Sequence, residues 1–206
     1  WFLENCDEIV FEGTTNISVR LWIPKIKELT FTGDVSVGLV NAPSLERVIF
    51  TGNAKGVIGA DFSDKQYAPN KLEEIIIDEP DNDEVYIGGG YKPYYTSYGD
   101  NTVTAGFKDL KSLKKVTLNL KEDAKVVVGE QAFKNCTALE EIAFTNHVVE
   151  VNKQAFMNCT ALKSVQFAQS CNLEIGESAF SGCTALEHVS FPQLPYEGGI
   201  YANAAH

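Results

Sequence analysis

The chain has 206 residues, 44% of them hydrophobic and 22% charged, an ordinary globular composition with enough length to bury a core. Its formal net charge of -11 repels nucleic acid and anionic lipid, so neither is expected as a partner and cationic or neutral partners are favoured. No window approaches the roughly 18 uncharged apolar residues of a membrane helix, and no membrane insertion is expected.

Trp1 opens the chain without a Met or a signal-peptide pattern, which reads as a processed or excised portion with any targeting segment outside it. Aligned on L-x-x-V-x-F, the chain resolves into about eight turns. The first three triplets are Cys6, Ile9, Phe11; Ile26, Leu29, Phe31; and Leu45, Val48, Phe50, at steps of 20 and 19 residues. Leu72, Ile75, Ile77 follow a turn lengthened near Phe62, and Leu113, Val116, Leu118 come next. Three close copies complete the series: "QAFKNCTALEEIAF" at 131 to 144, "QAFMNCTALKSVQF" at 154 to 167 and "SAFSGCTALEHVSF" at 178 to 191. Self-similarity at this period predicts a stack of turns, each burying its apolar face on the next. The last two triplet positions are two apart, the strand period, so each turn should supply one short parallel strand with Ile142 and Phe144 inward and Ala143 outward.

Between strands stands a second apolar pair followed by a turn-former, at Ile58-Gly59, Ile87-Gly88, Val128-Gly129, Val151-Asn152 and Ile175-Gly176, where positive φ is expected. Asp109, Asn135, Asn158 and Gly182 tolerate the left-handed region that ends a short helix. "QAFKNC" is therefore predicted to be one helical turn ended by Asn135, with Phe133 in the core. The first three turns lack this "AF" segment and should be more purely β.

The pattern IG-x-x-AF-x-x-C-x-x-L-x-x-V-x-F resembles the BspA-like leucine-rich repeats, found largely in bacterial surface proteins. The turn at Phe107 departs from it by placing Leu110 where the Cys would stand. The resemblance implies a right-handed α/β solenoid with a parallel sheet on its concave face, short helical turns opposite, and a role in adhesion or protein binding. It also implies a secreted or cell-surface location.

Cys136, Cys159 and Cys183 share one repeat position and should form a column of small buried hydrophobes. Parallel side chains do not present facing Cβ atoms for a disulfide. Cys171, in a loop, is expected to be the free thiol. No C-x-x-C or Cys/His cluster suggests zinc, and no cofactor is expected. "DEPDNDE" at 78 to 84 has the flavour of a calcium loop, but the places needing Gly and Glu hold Asp83 and Gly89. His188 neighbours Ser164 and Glu141 across the predicted sheet, without an orienting group or motif, and no catalytic residue is assigned.

Two candidate binding features remain. The outward strand positions form a central column of Val10, Thr30, Ile49, Ile76, Thr117, Ala143, Gln166 and Ser190, beside Glu8, Glu28, Arg47, Glu74, Lys115, Glu141, Ser164 and His188. Outward Val10, Ile49 and Ile76 read either as a contact surface or as β-branched residues suited to strands. The segment 89 to 105 adds fifteen residues, relative to the other turns, and carries Tyr91, Tyr94, Tyr95 and Tyr98. It reads as a binding loop or as a loop packing on its own turn. The expected function is a non-enzymatic recognition or adhesion module binding a protein or glycan, or alternatively a structural spacer. "FPQLPYEGGIYANAAH" after the last strand reads as an exit or cap.

Overall fold

The computed structural model describes residues 6–13, 15–17, 21–33, 35–37, 40–52, 57–58, 69–79, 81–89 and 106–193. In chain order its strands are β1 (Glu8–Glu12), β2 (Thr15–Ile17), β3 (Leu21–Trp22), β4 (Glu28–Thr32), β5 (Val35–Val37), β6 (Val40–Asn41), β7 (Arg47–Thr51), β8 (Val57–Ile58) and β9 (Glu74–Glu79). They continue as β10 (Glu84–Ile87), β11 (Lys115–Leu120), β12 (Lys125–Val128), β13 (Glu141–Phe144), β14 (Val148–Val151), β15 (Ser164–Phe167), β16 (Asn172–Ile175) and β17 (His188–Ser190). An eight-stranded sheet runs β1-β4-β7-β9-β11-β13-β15-β17, and a five-stranded sheet runs β16-β14-β12-β10-β8. Two small sheets, β2-β5 and β3-β6, belong to the N-terminal turns. Every pairing is parallel, and each joins one turn to the next.

The register is the one the triplets predict. Glu8 lies opposite Glu28, Glu28 opposite Arg47, Arg47 opposite Glu74, and Glu74 opposite Lys115. The row continues through Glu141 and Ser164 to His188. The strand period then turns alternate side chains inward, where Leu29, Val48, Ile75 and Val165 are fully buried. Phenylalanines stack from turn to turn along this core. One file runs Phe11, Phe31, Phe50, Phe107, Phe133, Phe156, Phe180 at centroid spacings of 5.1 to 5.8 Å. It passes from the strand position to the "AF" position between Phe50 and Phe107, the one step in which the rings meet edge to face.

The expected helical turns are absent, because no described residue is helical. In "QAFKNC" the backbone N–H groups alternate in direction. Those of Ala132, Lys134 and Cys136 donate three residues back, to Gly129, Gln131 and Phe133. Those of Gln131, Phe133 and Asn135 donate to Lys153, Ala155 and Met157 of the following turn at 2.8 to 3.0 Å. A helix would need all these donors within its own segment, so the stacking of turns has taken half of them.

The glycine expectation also needs correction. Gly88 has positive φ, but Gly129, Asn152 and Gly176 do not. The left-handed residues are instead Gln131, Gln154 and Ser178, two positions later, together with the expected Asp109, Asn135, Asn158 and Gly182. Gly129 is glycine because a Cβ there would fall on the carbonyl oxygen of Gly88, and one at Gly176 would come within 2.6 Å of the Lys153 nitrogen.

Candidate functional site

The outer face of the eight-stranded sheet is built by strand alternation, so its side chains fall in rows that cross the strands. In the first row Arg47 on β7 reaches both neighbours. Its Nε donates to Glu74 Oε2 at 2.9 Å and its Nη1 to Glu28 Oε2 at 3.0 Å. Lys115 Nζ on β11 lies 3.1 Å from the other Glu74 oxygen. Glu74 is thus held between two cations. Its partial burial favours the neutral acid, yet the bonds from Lys115 and Arg47 outweigh that and hold its carboxyl below the usual range. Arg47 in turn is raised by its bonds to Glu28 and Glu74.

In the next row, Ile49 and Ile76 are register partners and both are half-buried, so the structure brings these two together beside the Arg47–Glu74 pair. Val10, 46% exposed, is separated from Ile49 by Thr30. Thr117 continues the row from Ile76, and its hydroxyl oxygen is shielded without a hydrogen-bond partner. Tyr91, Tyr94, Tyr95 and Tyr98 lie outside the described residues, as does nearly all of the segment 89 to 105.

His188 is exposed and opposite Ser164, and no hydrogen bond joins it to Ser164 or Glu141. The acidic stretch is divided among separate partners: Asn119 Nδ2 donates to Asp78, Asn82 Nδ2 to Glu79 at 3.3 Å, and Lys121 Nζ to Asp83 at 2.6 Å. Among the described residues no group of three or more His, Cys, Asp or Glu is placed to hold a metal ion.

The cysteine column is in place, and it does more than fill space. Cys136 Sγ donates to Phe107 O at 3.0 Å, Cys159 Sγ to Phe133 O at 3.2 Å and Cys183 Sγ to Phe156 O at 3.2 Å. None of the five cysteines is in a disulfide. The reading of Cys171 as an accessible loop thiol is overturned, since it is 4% exposed and packs in the core cluster. Cys6 and Cys183, near the two ends of the stack, are the half-buried ones.

Sequence reasoning missed the outer face of the five-stranded sheet. There Lys125 sits between Glu84 at 3.5 Å and Glu150 at 2.8 Å, and the Tyr86 hydroxyl donates to Glu84. The alternation in "EVYI" carries that signal, but the strands' partners are visible only once the turns are stacked.

Parallel turns stacked on a recurring L-x-x-V-x-F ladder define a leucine-rich-repeat protein. The family model described as "BspA type Leucine rich repeat region (6 copies)" matches residues 104–202, and this part of the chain belongs to that family. No curated protein matches the chain. Among solved structures, the chain is similar to a leucine-rich repeat protein from Bacteroides ovatus ATCC 8483 at 24% sequence identity and a TM-score of 0.43. The likeness covers 85% of this chain and 52% of that one, so the chain spans about half the length of that structure.

Proposed function

We propose that the chain is a non-enzymatic recognition or adhesion module of a bacterial cell-surface or secreted protein. It forms a single leucine-rich-repeat domain over residues 1 to 206, right-handed, with the eight-stranded sheet on its concave face, a tyrosine-rich insertion at 89 to 105 and an exit or cap at 192 to 206. It binds a protein or glycan through Val10, Ile49, Ile76, Arg47, Glu74 and Lys115 of that face together with Tyr91, Tyr94, Tyr95 and Tyr98.

The observation that supports this most is the pairing of half-buried Ile49 and Ile76 beside the Glu28–Arg47–Glu74–Lys115 chain of ion pairs. An apolar strip beside fixed charges offers a partner both desolvation and orientation. Arg47 is held at both ends, so little side-chain entropy is lost when it is covered.

The test is a screen of the chain against arrays of proteins and glycans, followed by the Ile49→Glu, Ile76→Glu double variant on any hit. Binding should fall at least tenfold while circular dichroism and melting temperature stay near the parent values. A folded double variant that binds like the parent would remove the sheet face from the site. An absence of any hit would favour the spacer reading.

A further inference from the structure

Among the described residues β1 and β17 are the two ends of the eight-stranded sheet, each with a single partner strand in it. The core-facing positions that are buried inside the sheet become half-buried at both ends: Ile9 and Phe11 at β1, Leu186 and Val189 at β17. Phe191, which stacks on Phe167, is 54% exposed. Among the described residues, both ends therefore present the same apolar ladder only partly covered.

The backbone repeats one strand-opening bond from seam to seam, with its acceptor on the β17 side and its donors on the β1 side. In turn after turn, the two N–H groups that open a strand donate to one carbonyl in the preceding turn. Lys27 and Glu28 donate to Asp7 O at 2.9 and 3.1 Å, Lys114 and Lys115 to Glu73 O at 2.9 and 3.1 Å, and Glu187 and His188 to Lys163 O at 3.0 and 3.1 Å. The next acceptor in this series is the carbonyl of Glu187, at the β17 end. The donors that would precede the series are the N–H groups of Asp7 and Glu8, at the β1 end. Acceptor and donors match when β17 meets β1 in parallel, which continues the pattern of every other seam.

The side chains agree with this pairing. Continuing the register places Val189 on Ile9, Phe191 on Phe11, Leu186 on Cys6, and the His188 imidazole beside the Glu8 carboxylate. Unequal turns do not prevent such a fit. β4 and β7 open 19 residues apart and β7 and β9 27 apart, yet both pairs keep the same register.

We infer that copies of this chain associate head to tail, β17 of one copy pairing in parallel with β1 of the next. The occupant of each edge is a second copy, and the contact is heterologous, so it extends as an open series. It is independent of the sheet-face binding proposed above. One like-charged pair, Asp7 with Glu187, enters the contact and each copy carries a net charge of -11, so screening by salt favours association.

Sedimentation velocity on the full chain over a wide concentration range, at low and high salt, tests this. The weight-average mass should rise with concentration past that of a dimer, and more so at high salt. Ile9→Lys and Val189→Lys each block one edge, so each variant alone should remain monomeric, while their equimolar mixture should stop at a dimer. Phe191→Asp, at an exposed position, replaces Val189→Lys if circular dichroism shows that variant unfolded. A parent chain that stays monomeric throughout overturns the inference. So does self-association by folded Ile9→Lys, which would mean a contact between two β17 ends, and so does association that weakens with salt.

Discussion

The thiol of Cys159 donates to the carbonyl oxygen of Phe133, 3.2 Å away in the preceding turn, and Cys136 and Cys183 repeat the bond one turn to either side. The column therefore combines small volume with a donor, and it leaves a reactivity pattern. Burial pushes the Cys136 and Cys171 thiols up. Cys159 is raised by the adjacent Cys183 thiol and by burial, while the adjacent Cys159 lowers Cys183. A thiol reagent should label half-buried Cys6 and Cys183 first and Cys136, Cys159 and Cys171 slowly, with all five titrating after denaturation without reductant. Mass spectrometry of labelled peptides reads the order, and early labelling of Cys159 would count against the buried column.

Phe156 lies 5.2 Å from the Phe133 ring and 5.3 Å from the Phe180 ring, fully buried between two turns. Phe156→Ala removes ring contacts on both sides and should cost about 3–5 kcal/mol. Lys163→Ala, which loses one exposed bridge to Glu140, should leave stability almost unchanged. Urea midpoints of the two variants check the contrast.

At Gly129 the restriction is steric, since φ is not positive and the Gly88 carbonyl occupies the place of a Cβ. Gly129→Ala should destabilise by about 3 kcal/mol or more, because backbone of two turns must part. Ser178 has a φ of 56°, so Ser178→Gly should relieve strain and gain up to about 1 kcal/mol. Thermal melts of both variants would show opposite signs, and matching signs would contradict this account.

The Arg47 bridge fixes a pH dependence. Glu74 has a folded pKa below its unfolded value, so its contribution is present above the unfolded pKa and lost as pH falls through the folded one. The stability difference between the parent and Arg47→Ala should be at most about 1 kcal/mol at neutral pH, given the exposure of these side chains, and smaller in high salt. It should shrink as pH falls below the ordinary glutamate range and vanish once the pH lies under the lowered pKa of Glu74. Urea titrations at several pH values measure it, and a difference that grew in acid would rule out the bridge as its cause.

Replacing residues 89 to 104 with a two-residue linker should leave the melting temperature within a few degrees, because closure entropy depends weakly on loop length. It should abolish binding to any partner found in the array screen, since the four tyrosines leave together. A variant that loses most of its stability while its folded fraction still binds would assign the tyrosines to packing.

The strand rows were legible because the same residue types return at the same triplet positions. Leu139, Ile142 and Phe144 fix the phase of one turn, and register then follows for all eight strands. What escaped the sequence depends on contact between turns. Gln131, Gln154 and Ser178 do not look like left-handed residues, yet all three have positive φ, and the N–H groups of Gln131 and Gln154 donate to Lys153 and Glu177 of the next turn. Cys171 looked like a loop residue, and it packs in the core cluster. The Glu84–Lys125–Glu150 network required knowing that β10, β12 and β14 are adjacent.

Strands that bond turn to turn also set a mechanical response. Each strand of the eight-stranded sheet lies across the stacking direction and is bonded to its immediate neighbours. Tension applied between β1 and β17 would therefore load one seam at a time, opening it like a zipper rather than shearing many bonds together. Seams part in sequence, each needing a modest force and releasing one turn of chain, so the molecule would yield as an extensible spring and rewind turn by turn when the load is removed.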